Sequence, residues 1–256
     1  MKIVKILFLV LFVVILGCSK DDDAAIVGNG VNRTSNLQTT GSSANDFLAA
    51  TAFNTLIVEV LYVQNFRPNA QTLVNLKSFM EARLNKPGGI SIVEREIASP
   101  GTAPYDINEI AAVEGNNRTF YNNAGTLALS ILFVDGGVPT DTSDSFTLGS
   151  AYRNTSCVIY EASIKNLSDS PTEPSRTDLE TTVILHEICH LLGLVNLGTP
   201  MQTEHLDEAH DKHCDNENCL MFWETEKSNV LAMMLGGSIP ILDANCIADL
   251  QANGGK

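Results

Sequence analysis

Apolar positions along the chain follow two periods that alternate. "NTLIVEVLYV" (54 to 63) and "ISIVEREI" (90 to 97) read as strands. Between them Leu73, Leu76, Phe79, Met80 and Leu84 recur at helical spacing, opened by Pro68-Asn69 and stopped by Pro87-Gly88-Gly89. "TLALSILFVDGG" (126 to 137) is apolar enough for a central strand, "SAYRNT" (150 to 155) suits an edge, and "SCVIYEAS" (156 to 163) makes a fifth strand. Asp106-x-x-Glu109 and Thr177-x-x-Glu180 have the form of capping boxes, the second opening a helix that carries two histidines. Strands alternating with helices predict an α/β (α+β) domain on a mixed five-stranded sheet.

The ends of the chain depart from this pattern. Residues 1–17 place Lys2 and Lys5 before an apolar run of about 12 residues, short of the roughly 20 that span a bilayer, and so predict a cleaved signal peptide. Ile15-Leu16-Gly17-Cys18 resembles the bacterial lipobox, which implies lipidation at Cys18 and a membrane attachment through acyl chains. The following "SKDDD" is similar to the acidic export tag of surface lipoproteins in Bacteroidetes-type bacteria, which implies an outer-membrane protein facing outward. Residues 18–48 are rich in Ser, Thr, Asn and Gly and read as a flexible tether.

The formal charge of −14 becomes −16 once residues 1–17 and their two lysines are removed. Such an acidic surface argues against nucleic acid as a partner and against adhesion to anionic lipid. Five cysteines remain besides Cys18, in a chain expected to meet an oxidising compartment. Cys189 reads as a buried free thiol on the histidine helix. Cys214 and Cys219 could close a small disulfide loop, and Cys157 with Cys246 is a weaker pairing.

All five histidines, His186, His190, His205, His210 and His213, fall within 28 consecutive residues. His186 and His190 stand four apart, on one helix face, where both rings can reach one zinc ion at about 2.0–2.1 Å. Glu187 lies beside them without ligating, placed to take a proton from metal-activated water and deliver it to a leaving amine. Gly193 permits a left-handed helix end that returns the chain beneath the ion.

"HEICHLLGLVN" (186 to 196) resembles the metzincin metallopeptidase signature HExxHxxGxxH, except that Asn196 stands where the third histidine belongs, and an amide oxygen is a poor zinc ligand. "HCDNENCLM" (213 to 221) resembles the His-Cys-x4-Cys-x-Met segment of archaemetzincins. This resemblance implies an insertion of about 17 residues, as leishmanolysin-like metzincins carry a longer one. It makes His213 the third ligand and Met221 the Met-turn residue. It also implies two lobes: an upper one (49–193) on a twisted sheet with the active-site helix, and a smaller, mostly irregular or helical lower one (194–256). Residues near 148 to 153 would bind substrate backbone along the sheet edge. The tyrosine that follows the methionine by two residues in astacins and serralysins is Trp223 here, so oxyanion stabilisation falls to the ion.

Alternatives stay open in the sequence. His205 and His210 rival His213 as third ligand, line the inserted loop, or hold a second ion; Cys214 and Cys219 with two histidines could make a structural zinc site. Glu224 and Glu226 of "WETE" would serve in a thermolysin-like ligand set, against which the HxxG turn argues. The leading expectation is a monomeric zinc endopeptidase acting on protein or peptide. The others are a non-catalytic surface-binding lipoprotein of the same fold, which would have no chemical need for Glu187, and a metal-dependent amidase acting on cell-wall peptides.

Overall fold

The computed structural model describes residues 26–27, 31–228, 234 and 238–256. The expected signal peptide and Cys18 lie outside the described residues. A two-stranded antiparallel pair, β1 (Ile26–Val27) and β2 (Val31–Asn32), leads into a 3-10 turn at Thr34–Asn36 and helix α1 (Ala44–Leu48). The main sheet has five strands in the order β4 (Gly89–Ile97), β3 (Thr55–Val63), β5 (Thr126–Phe133), β7 (Ser156–Ile159), β6 (Gly149–Arg153). All neighbours run parallel except the edge strand β6, which pairs antiparallel with β7. The fold is thus the mixed α/β class that the alternating periods predict.

Side chains of β3 and β5 divide between two cores because successive strand residues point to opposite faces. Leu56, Val58 and Val60 with Leu127, Leu129 and Ile131 join the larger cluster, packed with α2 (Ala70–Arg83) and α5 (Arg176–Leu191). Leu61, Val63 and Leu132 turn to the other face, toward Tyr105 and Ile110 of α3 (Ile107–Asn117). Beside these apolar residues that face also carries buried charge. Glu59, fully buried, accepts from Thr119 N–H (2.9 Å), the Thr119 hydroxyl (2.6 Å) and Arg95 (2.9 Å). Buried Glu114 accepts from Arg118 (2.8 Å), Ser156 and Tyr152. Charges so enclosed persist only because each carries several partners.

The capping box at Asp106 and Glu109 forms as expected. Two boundaries differ from the sequence reading. The run after Ser156 stops being a strand at Ile159, and α4 (Glu161–Asn166) follows. Helix α5 begins at Arg176, capped by Ser175, whose hydroxyl accepts from Asp178 N–H; Glu180 is drawn instead toward α2, where it accepts from Asn69 N–H (2.8 Å) and the Thr72 hydroxyl (2.6 Å). The lower lobe is largely irregular and closes with α6 (Ala244–Ala252). Among the described residues no helix is long and apolar enough to cross a membrane.

The expected tether is corrected for its second half: residues 33–48 are bound to the domain. Asn36 is fully buried, donating to Asn122 and Thr155 (2.9 Å each) and accepting from Asn122 N–H (3.0 Å). Asn154 N–H donates to Gln38 O, Gln38 N–H donates to Asn154 Oδ1, and the Asn154 amide nitrogen also donates to Ser35 O and the Ser43 hydroxyl. Lys86 donates its ammonium to the carbonyls of Asp46, Ala49 and Phe53, meeting the orphan acceptors at the end of α1. Polar side chains hold this arm, so an apolar pattern could not announce it. Asn36→Ala should lower unfolding stability by about 1–3 kcal/mol, the cost of leaving buried partners unmatched; urea unfolding of the two proteins measures it.

Candidate metal centre

Helix α5 is buried from Leu179 to Leu191, and its one-turn repeat brings His186 and His190 together. The helix ends where Gly193 takes φ +74°; Gly193 N–H donates to His190 O (3.1 Å) and Leu194 N–H to Cys189 O (3.2 Å). Glycine is required there for space as well: a Cβ would lie 2.7 Å from Ala44 Cβ and 2.8 Å from Thr199 N. Val195 and Asn196 follow with positive φ, and Asn196 ends exposed, away from the histidines.

The chain returns through Leu206, paired with Cys214, and Asp207 N–H donates to His213 O (2.8 Å). This seats the His213 ring beside the other two. Ring centroids are 4.7 Å apart for His186 and His190, 5.3 Å for His186 and His213, and 5.2 Å for His190 and His213. A ligand atom from each, with a carboxylate oxygen of Glu226, lies within 4.8 Å of all the others.

The donor set tests well against a metal. His186 Nδ1 donates to Leu220 O (2.7 Å), leaving Nε2 with a lone pair; His213 Nδ1 meets Asp211 O (3.0 Å). His186 Nε2, His190 Nδ1 and His213 Nε2 are buried with no protein hydrogen-bond partner, and so are both oxygens of Glu187. Buried polar atoms rarely stay unmatched, and one ligand nitrogen from each of the three rings lies within 4.8 Å of the others. Burial holds the His186 imidazole down to about 3 and lowers His190 and His213, which keeps the rings in the neutral form a metal needs. Burial, and then the Glu226 carboxylate, push the Glu187 carboxyl well above its ordinary range; a dication among the imidazoles would reverse that.

Other residues fall into place around this set. Met221 is fully buried immediately after Leu220, so the segment that receives His186 also carries the expected Met-turn residue. Trp223 stacks on His210 with centroids 4.1 Å apart, and His210 hydrogen-bonds Asp207 (2.7 Å); neither belongs to the histidine cluster. A cleft of about 280 Å³ opens over the site, lined by Thr40, Ser150, Ala151, Glu187, His213 and Glu226 among others.

A second cluster lies in the lower lobe, where the sequence suggested a disulfide. Cys214 and Cys219 are free thiols, as are Cys157, Cys189 and Cys246, so neither expected bridge is present. Cys219 Sγ stands 3.7 Å from Cys246 Sγ, and His205 Nδ1 stands 3.4 Å from Cys214 Sγ and 3.9 Å from Cys246 Sγ. Sulfur ligands on tetrahedral zinc are separated by about 3.8 Å, and a sulfur and a ring nitrogen by about 3.6 Å, as bond lengths of about 2.3 and 2.0–2.1 Å require. Spacing this wide suits a shared ion and is too long for a bond between sulfurs. Hydrogen bonds from Cys214 and Cys246 pull the Cys219 thiol well below its ordinary value. His205 Nε2 meets the fully buried Asp249 at 2.8 Å, the arrangement that orients a metal-bound imidazole, and Asp243 lies 3.4 Å from Cys214 Sγ. His205 is thereby removed as a rival for the first site. Asp249 carried no signal in the sequence, whereas three lower-lobe thiols at 214, 219 and 246 did.

No protein-family model matches the sequence, and no curated protein does. Among solved structures the chain is similar to an archaemetzincin from Methanopyrus kandleri, with 14% identity and TM-score 0.51 over 78% of this chain and 96% of that one. It is also similar to metalloproteinase-II from Bacteroides fragilis, with 15% identity and TM-score 0.41 over 88% of this chain and 59% of that one. The first likeness shows a shared fold, that of an archaemetzincin-like metallopeptidase.

Two metal-ready clusters give a countable expectation. Elemental analysis of the purified protein should return about two equivalents of divalent metal, one for each set of four candidate ligands. Cys246→Ser should remove one equivalent and leave the other, with bound metal per chain as the readout.

Proposed function

We propose that this chain is a zinc-dependent endopeptidase, exported and held at a bacterial outer membrane through a lipid on Cys18. The observation that carries the reading is the convergence of three neutral, buried imidazoles on one point, with an intact glutamate beside them. Zinc in that position would supply a water acidified toward a pKa of about 7 and a Lewis acid for the scissile carbonyl. His186, His190 and His213 would hold it.

The residues then divide the work. The hydrogen bond to Leu220 O turns the His186 ring so that Nε2 faces the site. Glu187 sits in the cleft, where its carboxylate takes a proton from the nucleophilic water and returns it to the departing amine. Ser150 and Ala151 of the edge strand β6 line the same cleft, where an extended peptide would add to the sheet. Cys214 and Cys246 with His205 and Asp243, whose ligand atoms all lie within 4.8 Å of one another, would take a second, structural zinc, since four protein ligands leave no open position.

Retention of Glu187 favours hydrolysis over a non-catalytic binding role, because imidazoles alone suffice to bind an ion. Glu187→Gln should reduce cleavage of an unstructured protein such as casein by about 10²–10⁴-fold while zinc content stays at the wild-type level. Equal cleavage by both proteins, or none by the wild type, would remove the assignment. Attachment is tested separately: Cys18→Ala should move the protein from the membrane to the soluble fraction, and unchanged fractionation counts against the lipid anchor.

A further inference from the structure

Glu226 belongs to neither role assigned so far, yet its carboxylate stands inside the first cluster. It comes from a 3-10 turn, Trp223–Glu226, two residues beyond the buried Met221 segment. Its backbone is fixed from the upper lobe: Leu148 N–H donates to Glu226 O (2.9 Å), Ser228 N–H donates to Phe146 O (3.0 Å), and Thr147 and Lys227 form an antiparallel bridge. The side chain therefore has a short reach from a firm base.

One oxygen, Oε2, lies 3.9 Å from His213 Nε2, and the other, Oε1, lies 3.6 Å from Lys227 Nζ. Ligand atoms on a tetrahedral ion with bonds of 2.0–2.1 Å stand about 3.3 Å apart. The Glu226 oxygen, 3.9 Å from His213 Nε2 and within 4.8 Å of a ligand nitrogen of each other ring, is close enough to share an ion with all three. Glu187 does not share this property, although it too faces the cleft. Lys227 is itself held by Thr147 Oγ1 at 3.2 Å, so it offers Glu226 an alternative partner at a fixed place.

We propose that Glu226 is the fourth protein ligand of the resting metal centre, and that substrate or water displaces it toward Lys227 when the site becomes active. The proposal rests on the three-histidine reading and adds to it a regulatory latch. In the closed state the ion has four protein donors and no open position, the coordination of a structural site. Exchange is balanced in ligands: one carboxylate oxygen leaves as one water or substrate oxygen enters, and Lys227 receives the freed charge. Because residues 226–228 are hydrogen-bonded to residues 146–148, just ahead of β6, a peptide settling on that strand would press on the segment that carries the latch.

The experiment compares Glu226→Gln, Glu224→Gln and His213→Ala in the full-length protein. Zinc affinity is measured by competition with a chromophoric chelator, and ligand geometry by the visible spectrum of the cobalt-substituted protein. Glu226→Gln is expected to weaken zinc binding by about 10–100-fold and to change the cobalt bands, while Glu224→Gln, which removes a like charge two residues away, leaves both unchanged. An affinity and spectrum indistinguishable from wild type in Glu226→Gln overturn the latch, as do equal losses in both glutamine variants, which would mark a through-space charge effect. His213→Ala reports on the underlying reading by itself: retained zinc affinity there refutes the third histidine, whatever Glu226 does.

Discussion

A single hydrogen bond ties the active-site helix to the lobe beneath it. His186 Nδ1 donates to the carbonyl of Leu220 at 2.7 Å, wholly out of water. That bond decides the tautomer of the first histidine, and hence which nitrogen presents a lone pair to the cluster. It also anchors the strand of lower-lobe chain that carries Met221 and, further on, Glu226.

The return segment is held a second way. His213 and Cys214 are chain neighbours that serve different clusters, the imidazole turned toward His186 and His190 and the thiol toward His205 and Cys246. A metal filling the thiol cluster would therefore stiffen the backbone that delivers the third histidine. At the histidine cluster, unpaired ring nitrogens and the unpaired carboxylate of Glu187 lie buried in a chain of formal charge −14, a setting that a dication would relieve.

Much of this was legible in the sequence because it rests on periodicity and caps. The five strands of the main sheet, α2 with Asn69 at its N-cap, and the Asp106 capping box follow from apolar spacing and from side chains that compete for backbone amides. The two helical histidines and Gly193 were legible for the same reason, since each expresses a local geometric rule. Helix α4 was not, because Val158-Ile159-Tyr160 continue the apolar run of β7 and Tyr160 makes no side-chain cap. The third histidine needed the resemblance to archaemetzincins, as no local rule spans the inserted loop. The state of Cys214 and Cys219 was not legible, because cysteine spacing cannot distinguish sulfurs bonded to each other from free thiols gathered beside a histidine, which is what the structure has. The role of Asn36 was hidden because its burial is secured by amide bonds to Asn122 and Thr155 rather than by apolar contact.

That stitched N-terminal arm shortens the leash. Under the proposed attachment at Cys18, with the chain docked from about residue 33 onward, roughly 15 residues would bridge lipid and domain, which at full stretch reach about 50 Å. Thr40, on the docked arm, lines the cleft itself. Under the proposed anchoring, a cleft so close to its own mooring would patrol only a thin layer above the membrane, and would meet partners that pass near that surface before any that drift in the bulk.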